Sequence, residues 1–301
     1  MSIFRRILPF AFLALASAAW SQAQKPIEKP DEVEKGFSSL ETFQGTFNTD
    51  SSLLKADTRV GYDFNQHFGL FVGVPIYFVN SNVVAPATPA ATTTATNTGG
   101  MGNSYFGLVF RVPGKSINYT STATFSAPTG NVNDGFSSGR GNADWDNYLD
   151  HSFNKFTPFL DAGLSNTVPD SSLFTRPFTS LGVVTHFEEG GEYELIDHFS
   201  AGASGYEVVP FGTQKLFSKV VGKGQNGKGS GNPNRTFDGA PETVGTDITR
   251  ENGFNTWVAF QPSGLWRLEI GYSRSATFDL NSFGFNLGLN IGKMLKARRG
   301  M

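Results

Sequence analysis

Hydrophobic and polar residues alternate with a period of two along most of this chain. The clearest run is SFGFNLGLNIG, in which Phe283, Phe285 and Leu287 alternate with serine, asparagine and glycine. The segment LKADTRVGYDF repeats the pattern: Lys55 and Asp57 alternate with Leu54, Ala56 and Thr58. Successive side chains of a β-strand point to opposite faces, so the pattern predicts strands with one apolar and one polar face.

Twelve such strands can be placed along the chain. We predict them at residues 41–48, 54–64, 68–78, 106–112, 117–125, 143–150, 156–165, 178–196, 199–209, 254–260, 265–274 and 282–292. Short connections, at 65–67, 113–116, 151–155, 197–198 and 261–264, alternate with long ones at 80–103, 128–142, 166–177 and 210–252, and short outer loops are placed around Asp50 and Ala276. An even number of strands with short turns on one side and long loops on the other is typical of an all-β, antiparallel up-and-down transmembrane barrel.

A secreted antiparallel sandwich or a propeller is the soluble alternative, because its strands also have one apolar and one polar face. The sequence has no internal repeat of fixed period, which disfavours a propeller. Strict alternation of long and short loops between long strands is uncommon in a sandwich, so the membrane barrel is the favoured fold.

The N-terminal segment has the features of a secretory signal. Arg5 and Arg6 precede an apolar run from Ile7 to Ala19, and small residues allow cleavage after Ala23. We therefore predict a signal peptide at 1–23, a flexible leader at 24–38, the barrel at 39–294 and a basic tail at 295–301. Export, together with the predicted transmembrane barrel, implies an outer-membrane location. The expected partners are outer-membrane lipid and the barrel insertion machinery.

Composition excludes several kinds of chemistry. The chain has 301 residues, with 24 basic and 26 acidic side chains and no cysteine. Disulfides, thiolate zinc sites and cysteine nucleophiles are therefore excluded, and a net charge of -2 provides no basic field for nucleic acid. Residues 82–103 and 221–234 are rich in small and polar residues and are predicted to be flexible, solvent-exposed loops.

The polar faces of the strands would line the barrel interior. Opposite charges across a water-filled lumen could orient dipolar solutes, or they could pair and brace a closed barrel. An excess of acidic over basic side chains favours the passage of cations. The predicted lumen residues are Lys55, Asp57, Arg59, Asp63, Arg111, Asp144, Asp146, Asp161, Glu188, Glu192, Glu194, Arg267 and Glu269.

Metal binding and catalysis have little support in the sequence. His186 is close in sequence to Glu188, Glu192 and Glu194, and alternating carboxylates could hold a divalent cation, although a simple polar lumen is favoured. A lipid hydrolase of the barrel type would need a serine nucleophile beside a histidine, and no serine stands in such a context. We expect no enzymatic activity and no cofactor.

The stretch from Thr122 to Thr167 contains a Pro-Thr-Gly sequence at Pro128, followed by a glycine-rich loop and a new strand. It resembles the outer-membrane barrels grouped as aromatic-degradation (phenol meta-pathway) transporters, and residues 193–208 resemble a late periplasmic hairpin of that group. This chain departs from the group in ending with KMLKARRGM rather than a terminal aromatic residue. The resemblance implies a passive channel or transporter for small solutes, with aromatic and cationic solutes as candidates. The alternative is a non-conducting structural or adhesion barrel.

Overall fold

The computed structural model describes residues 33–48, 51–83, 94–115, 117–171, 173–219 and 243–299. These residues are almost entirely β-structure, with one helix after the last strand. The strands are β1 (Gly36–Phe47), β2 (Ser51–Asp63), β3 (Phe68–Val83), β4 (Thr94–Met101), β5 (Tyr105–Val112), β6 (Asn118–Ser126), β7 (Asn142–Asp150), β8 (Phe156–Ser165), β9 (Phe178–Ile196), β10 (Phe199–Ser218), β11 (Thr243–Gly245), β12 (Glu251–Ser263), β13 (Trp266–Ser275) and β14 (Leu280–Asn290), and the helix is α1 (Ile291–Arg299).

Twelve of the strands form a closed antiparallel barrel, which confirms the predicted fold. Each strand pairs with its neighbours in chain order, and β1 pairs with β14 to complete the ring. Two short strands stand outside this ring: β4 pairs with β3 next to β5, and β11 pairs with β10 next to β12. The short connections, such as those before β3 and before β10, lie at one end of the barrel, here called the turn end. The long connections lie at the opposite end, here called the loop end.

Two of the predicted long loops are wrong in part. The predicted loop 80–103 contains the end of β3 and all of β4, and the predicted loop 210–252 contains the end of β10 and all of β11. The sequence of β4, TATNTGGM, has no apolar alternation, but its backbone hydrogen-bonds to the edge that β3 extends beyond β5. Backbone pairing rather than side-chain periodicity therefore creates this strand. The predicted loop 221–234 lies outside the described residues.

The two faces of the barrel wall differ as the alternation predicts. On β2, Leu54 and Val60 are exposed on the exterior, whereas Leu53 and Asp63 are buried in the interior. Large apolar side chains cover the exterior of the other strands as well, and Val258 and Ile270 are each 55% exposed. A continuous apolar exterior is what a hydrocarbon environment requires.

The barrel ends differ slightly from the predicted boundaries. β1 begins at Gly36 rather than at residue 39, and β14 ends at Asn290, where α1 begins directly. Gly292 of α1 lies against the backbone of Phe37 and Ser39, so the helix packs on the start of β1 at the turn end. The predicted signal peptide lies outside the described residues. Among the helical residues described, no segment is both long and apolar enough to cross a bilayer.

Candidate functional site: the barrel interior

The interior contains a cavity of about 330 Å³. Residues from eight strands of the wall line it, together with Val33 before β1 and Pro169 from the connection between β8 and β9. Its lining combines charged groups, a column of hydroxyls on β6 and buried aromatic rings such as Phe71 and Tyr148. The volume is at the lower end of the range for small-molecule pockets and suits a small solute.

The connection between β8 and β9, described at residues 166–171 and 173–177, folds into the barrel and is here called the inward loop. The long connection predicted at 166–177 is present between β8 and β9, but Leu173, Thr175 and Arg176 are all buried, so it lies inside the barrel rather than beyond its rim. Two polar side chains of β1 hold the loop. Gln44 donates from Nε2 to the backbone oxygen of Ser171 at 2.7 Å, and the Thr46 hydroxyl accepts a 2.7 Å hydrogen bond from the backbone N–H of Thr175. The interior thus satisfies backbone groups that would otherwise need water.

Two ion pairs fasten the same loop to the wall. Lys55 Nζ of β2 lies 2.9 Å from Asp170 Oδ2, and Arg176 pairs with Glu251 of β12, which also accepts a 2.9 Å hydrogen bond from Tyr206. Burial alone would raise the pKa of the Asp170 carboxyl, but the ammonium groups of Lys55 and Lys219 outweigh burial and lower this pKa to about 2. Asp170 is therefore a carboxylate throughout the physiological range.

Close approach of the inward loop to the wall requires glycine at one position in particular. A Cβ atom on Gly284 of β14 would lie 2.4 Å from the backbone oxygen of Leu173. The Leu173 side chain then packs with Tyr148, Phe159 and Trp257 in a buried cluster. Glycine at position 284 therefore allows the inward loop to pack directly against the backbone of β14.

A second connection, residues 127–141, also enters the barrel at the loop end. The Phe136 ring is buried and stacks on Tyr77 with ring centres 5.6 Å apart. The ammonium of Lys219 also contacts Tyr77 and lies 4.1 Å from its ring centre. Thr179 donates a 2.8 Å hydrogen bond to the backbone oxygen of Gly135. The predicted loop 128–142, which carries the glycines of the family resemblance, is thus partly an interior element rather than a purely outer one.

Most of the predicted lumen residues line the main cavity, and most of their basic groups are paired. Arg111 Nη1 lies 2.8 Å from Asp63, and Arg267 Nη2 lies 2.7 Å from Glu192 and 2.8 Å from Glu269. Pairing of this kind braces the wall. The predicted residues that line the cavity are Lys55, Asp57, Arg59, Asp63, Arg111, Asp144, Arg267 and Glu269.

The remaining predicted acids lie elsewhere. Asp146 and Asp161 are buried in the wall, and the Glu188 carboxylate accepts a hydrogen bond from the Ser204 hydroxyl beside a separate cavity of about 30 Å³. Glu192 accepts from Trp257 Nε1 at 3.0 Å, whereas Glu194 is exposed close to the turn end of β9. None of these five positions lines the main cavity: Asp146, Asp161, Glu188 and Glu192 lie elsewhere in the interior, and Glu194 lies near the turn end.

His186 does not join the predicted carboxylates in a metal site. Its Nε2 lies 3.6 Å from Asp144 Oδ1 of β7, across the interior face of β8. Within the described part of the chain, no three histidine or carboxylate side chains are grouped so that they could hold a metal ion.

Several interior residues were not predicted from the sequence. Gln44, Thr46 and Glu251 hold the inward loop, and Tyr105 donates to both oxygens of Asp57 at 2.9 and 2.8 Å. The alternation of β1 does place Gln44 and Thr46 opposite Phe43 and its apolar neighbours, so the signal for an inward polar face was present there.

Comparisons with known proteins bear on the fold. No protein-family model matches the chain, and no curated protein matches it. An outer-membrane channel from Pseudomonas putida F1 is similar in structure, with a TM-score of 0.54 and 12% identity over 90% of this chain and 100% of that one. The KdgM porin in complex with disordered oligogalacturonate gives a TM-score of 0.43 at 7% identity, covering 83% and 98%, and the CymD monoaromatic hydrocarbon channel gives 0.39 at 8%, covering 91% and 93%.

The similarity to the Pseudomonas putida channel supports the fold alone. The TM-scores of the other two structures are too low to support any conclusion. The fold of this chain is therefore that of an outer-membrane β-barrel, as the resemblance in the sequence implied. The aromatic-degradation transporter type stays a prediction.

Proposed function

We propose that this chain is an outer-membrane channel for the passive passage of small solutes. The observation that carries the proposal is the cavity of about 330 Å³, lined by charged and hydroxyl groups, inside a barrel whose exterior is apolar. A barrel that served only as a membrane anchor would have no need of polar groups that face an open interior space.

The exterior supports placement in the outer membrane. Val72 and Phe78 on β3 are 54% and 55% exposed, and Leu108 on β5 is 54% exposed. Each would cost free energy in water, at roughly 25 cal/mol per Å² of apolar surface, and each is favourable against lipid chains. This placement requires outer-membrane lipid and the barrel insertion machinery as partners. It also requires that the chain is first exported, with cleavage of the signal peptide near Ala23.

The inward loop sets the state of the channel. With Leu173 and Thr175 buried in the interior, the loop occupies the space between β1, β2, β12 and β14. Solutes larger than water would pass when the loop moves away from β1 and β2. We therefore propose a gated channel whose resting state is narrow.

Charge and aromatic groups in the interior indicate the type of solute. Four acidic and four basic predicted lumen residues line the main cavity, and four further acids, Asp146, Asp161, Glu188 and Glu192, lie elsewhere in the interior, so the interior as a whole has an excess of acidic side chains. This excess raises the local concentration of cations, and we expect small inorganic cations to pass more easily than anions. Phe71, Tyr105 and Tyr148 offer ring surfaces to an organic solute in the same cavity.

Planar-bilayer recording on the refolded chain tests the proposal. The expected result is discrete conductance steps, with a reversal potential in a salt gradient that indicates cation preference. A variant that lacks the inward loop, with residues 168–176 replaced by a short glycine-serine link, should conduct more than the unmodified chain. No conductance from either protein, when both show heat-resistant folded mobility on a gel, would overturn the channel proposal.

The second candidate is a non-conducting structural or adhesion barrel. The buried inward loop with its two ion pairs favours this candidate, because a barrel filled by its own loop resembles a closed wall. Under this alternative the loop-deleted variant would conduct, whereas the unmodified chain would not do so at any salt concentration or voltage.

A further inference from the structure

Among the residues that the structure describes, one basic side chain of the cavity lining has no hydrogen-bond or ion-pair partner. Of the four basic side chains in the lining, Lys55, Arg111 and Arg267 each form an ion pair at 2.9 Å or less. Arg59 forms no hydrogen bond or ion pair with any of the residues that the structure describes. A guanidinium has five N–H donors, and leaving them unsatisfied is costly unless water or a solute accepts them.

The surroundings of Arg59 keep its guanidinium available. The neighbouring carboxylates on the same strand are already engaged: Asp57 accepts one bifurcated hydrogen bond from the Tyr105 hydroxyl, shared between its two oxygens, and Asp63 accepts from Arg111 at 2.8 Å. The guanidinium centre lies 4.0 Å from the centre of the Phe71 ring, and Phe71 is 4% exposed. Stacking on a fixed ring covers one face of the guanidinium and orients its plane, while the N–H edges stay free to bind.

We propose that Arg59 is the anchor of a binding site for small organic carboxylates inside the barrel. A planar guanidinium matches a carboxylate in a bidentate pair, which is stronger than hydrogen bonds between neutral groups. Thr120, Thr122 and Thr124 of β6 line the same cavity and can bind hydroxyl or carbonyl groups of such a solute. The buried rings of Phe71 and Tyr148 favour an organic anion over a fully hydrated inorganic one.

This site agrees with the cation preference expected of the channel as a whole. Ion preference depends on the sum of the interior charges, whereas the binding of a carboxylate depends on local donors within hydrogen-bonding distance. The proposal rests on the proposed function for the solute's route into the cavity. Binding itself can be measured without any conductance.

The test is a binding measurement on the full refolded chain in detergent micelles. We would titrate 4-fluorobenzoate and its uncharged analogue 4-fluorobenzamide and follow both by ¹⁹F NMR. The expected result is saturable binding of the benzoate and at least roughly tenfold weaker binding of the benzamide, because only the benzoate forms charge-assisted hydrogen bonds. Inorganic phosphate should compete poorly.

Three variants separate the anchor from the remainder of the cavity. Arg59→Gln should weaken benzoate binding by roughly tenfold or more, and Arg59→Lys should restore only part of it, because an ammonium keeps the charge without the planar pair. Arg250→Gln is the matched control, since Arg250 is exposed at the loop end and pairs with Asp247. Its benzoate affinity should equal that of the unmodified chain.

Two results would overturn the proposal. One is equal affinity for benzoate and benzamide in the unmodified chain, which needs no variant to fold. The other is unchanged benzoate affinity in a folded Arg59→Gln protein. Benzoate binding without conductance would instead contradict the channel proposal and leave the carboxylate site standing, so the two failures are distinguishable.

Discussion

Replacement of Lys55 by methionine should release the inward loop. The Lys55 ammonium lies 2.9 Å from Asp170, and the two side chains are only 15% and 10% exposed. Without the ammonium, the Asp170 carboxylate would stay in an interior with little water to solvate it. The docked loop would lose stability relative to an undocked loop in which Asp170 meets water.

The size of the effect follows from what Asp170 retains. Removal of one partner from a fully buried ion pair costs about 3–5 kcal/mol. Asp170 keeps a 2.9 Å hydrogen bond from the backbone N–H of Arg176 and the attraction of Lys219, and neither Lys55 nor Asp170 is wholly buried. We therefore expect about 2 kcal/mol, which is roughly a thirtyfold change in the ratio of docked to undocked loops.

Thiol labelling measures this ratio without any assumption about conductance. The chain has no cysteine, so Ser171→Cys introduces a single thiol on a buried position of the loop. A water-soluble maleimide should label this thiol roughly thirtyfold faster when Lys55 is methionine. Lys296→Met is the matched control, because Lys296 is half exposed and pairs with Glu34 at the turn end. Its labelling rate should match that of the parent.

A second change distinguishes the ion pair from a packing effect. Lys55→Met combined with Asp170→Asn leaves no unpaired charge, so much of the loss should be recovered. Equal labelling rates in the Lys55→Met protein and its parent, with the same folded mobility, would refute the assignment of this pair as the fastening of the loop.

The remaining predictions concern pH, the two faces of the wall and ion preference. Because Asp170 has a pKa of about 2 in the docked loop against an ordinary value of 3.8, its contribution to docking is complete above about pH 5 and is lost as pH falls through 2. All maleimide labelling slows in acid because the thiolate is the reactive form, so the rate is divided by that of a free thiol at the same pH; this ratio should rise in acid, and it should not rise with Asp170→Asn. Leu287→Arg on the lipid face should cost about 2–4 kcal/mol in folding into vesicles, and Asn286→Arg beside the cavity should cost much less; equal costs would contradict the assignment of faces. Replacement of Asp144 and Asp146 by asparagine should lower the cation preference in reversal-potential measurements with the fold retained, and an unchanged preference would mean that other groups set it.

The barrel could be predicted from sequence because lipid outside and polar groups inside impose a period of two on every strand. Leu54 and Val60 are exposed and Asp63 is buried, as the alternation requires. The boundaries of β8 and β9 agree with the predicted 156–165 and 178–196 for the same reason. The physical cause acts locally, so local sequence is sufficient.

The inward loop could not be predicted in this way. Its sequence, NTVPDSSLFTRP, is polar and contains prolines, which is the usual composition of an exposed loop. Its burial depends on Gln44, Lys55 and Gly284, which are distant in sequence and meet it only when the barrel is closed. The unpaired state of Arg59 is likewise a property of the closed barrel, because the sequence offers it several carboxylate neighbours.

The pairing of β1 with β14 has a consequence for how the chain assembles. Leu40 is opposite Asn290 and Phe47 is opposite Phe283, so the ring is closed by residues from the two ends of the described chain. Without the pairing of β1 with β14, the sheet has two unpaired edges, each able to capture a foreign strand. A chain cut before Leu280 would leave β1 and β13 in that state permanently. Closure therefore depends on contacts between strands distant in sequence, and both edges need protection until those contacts form.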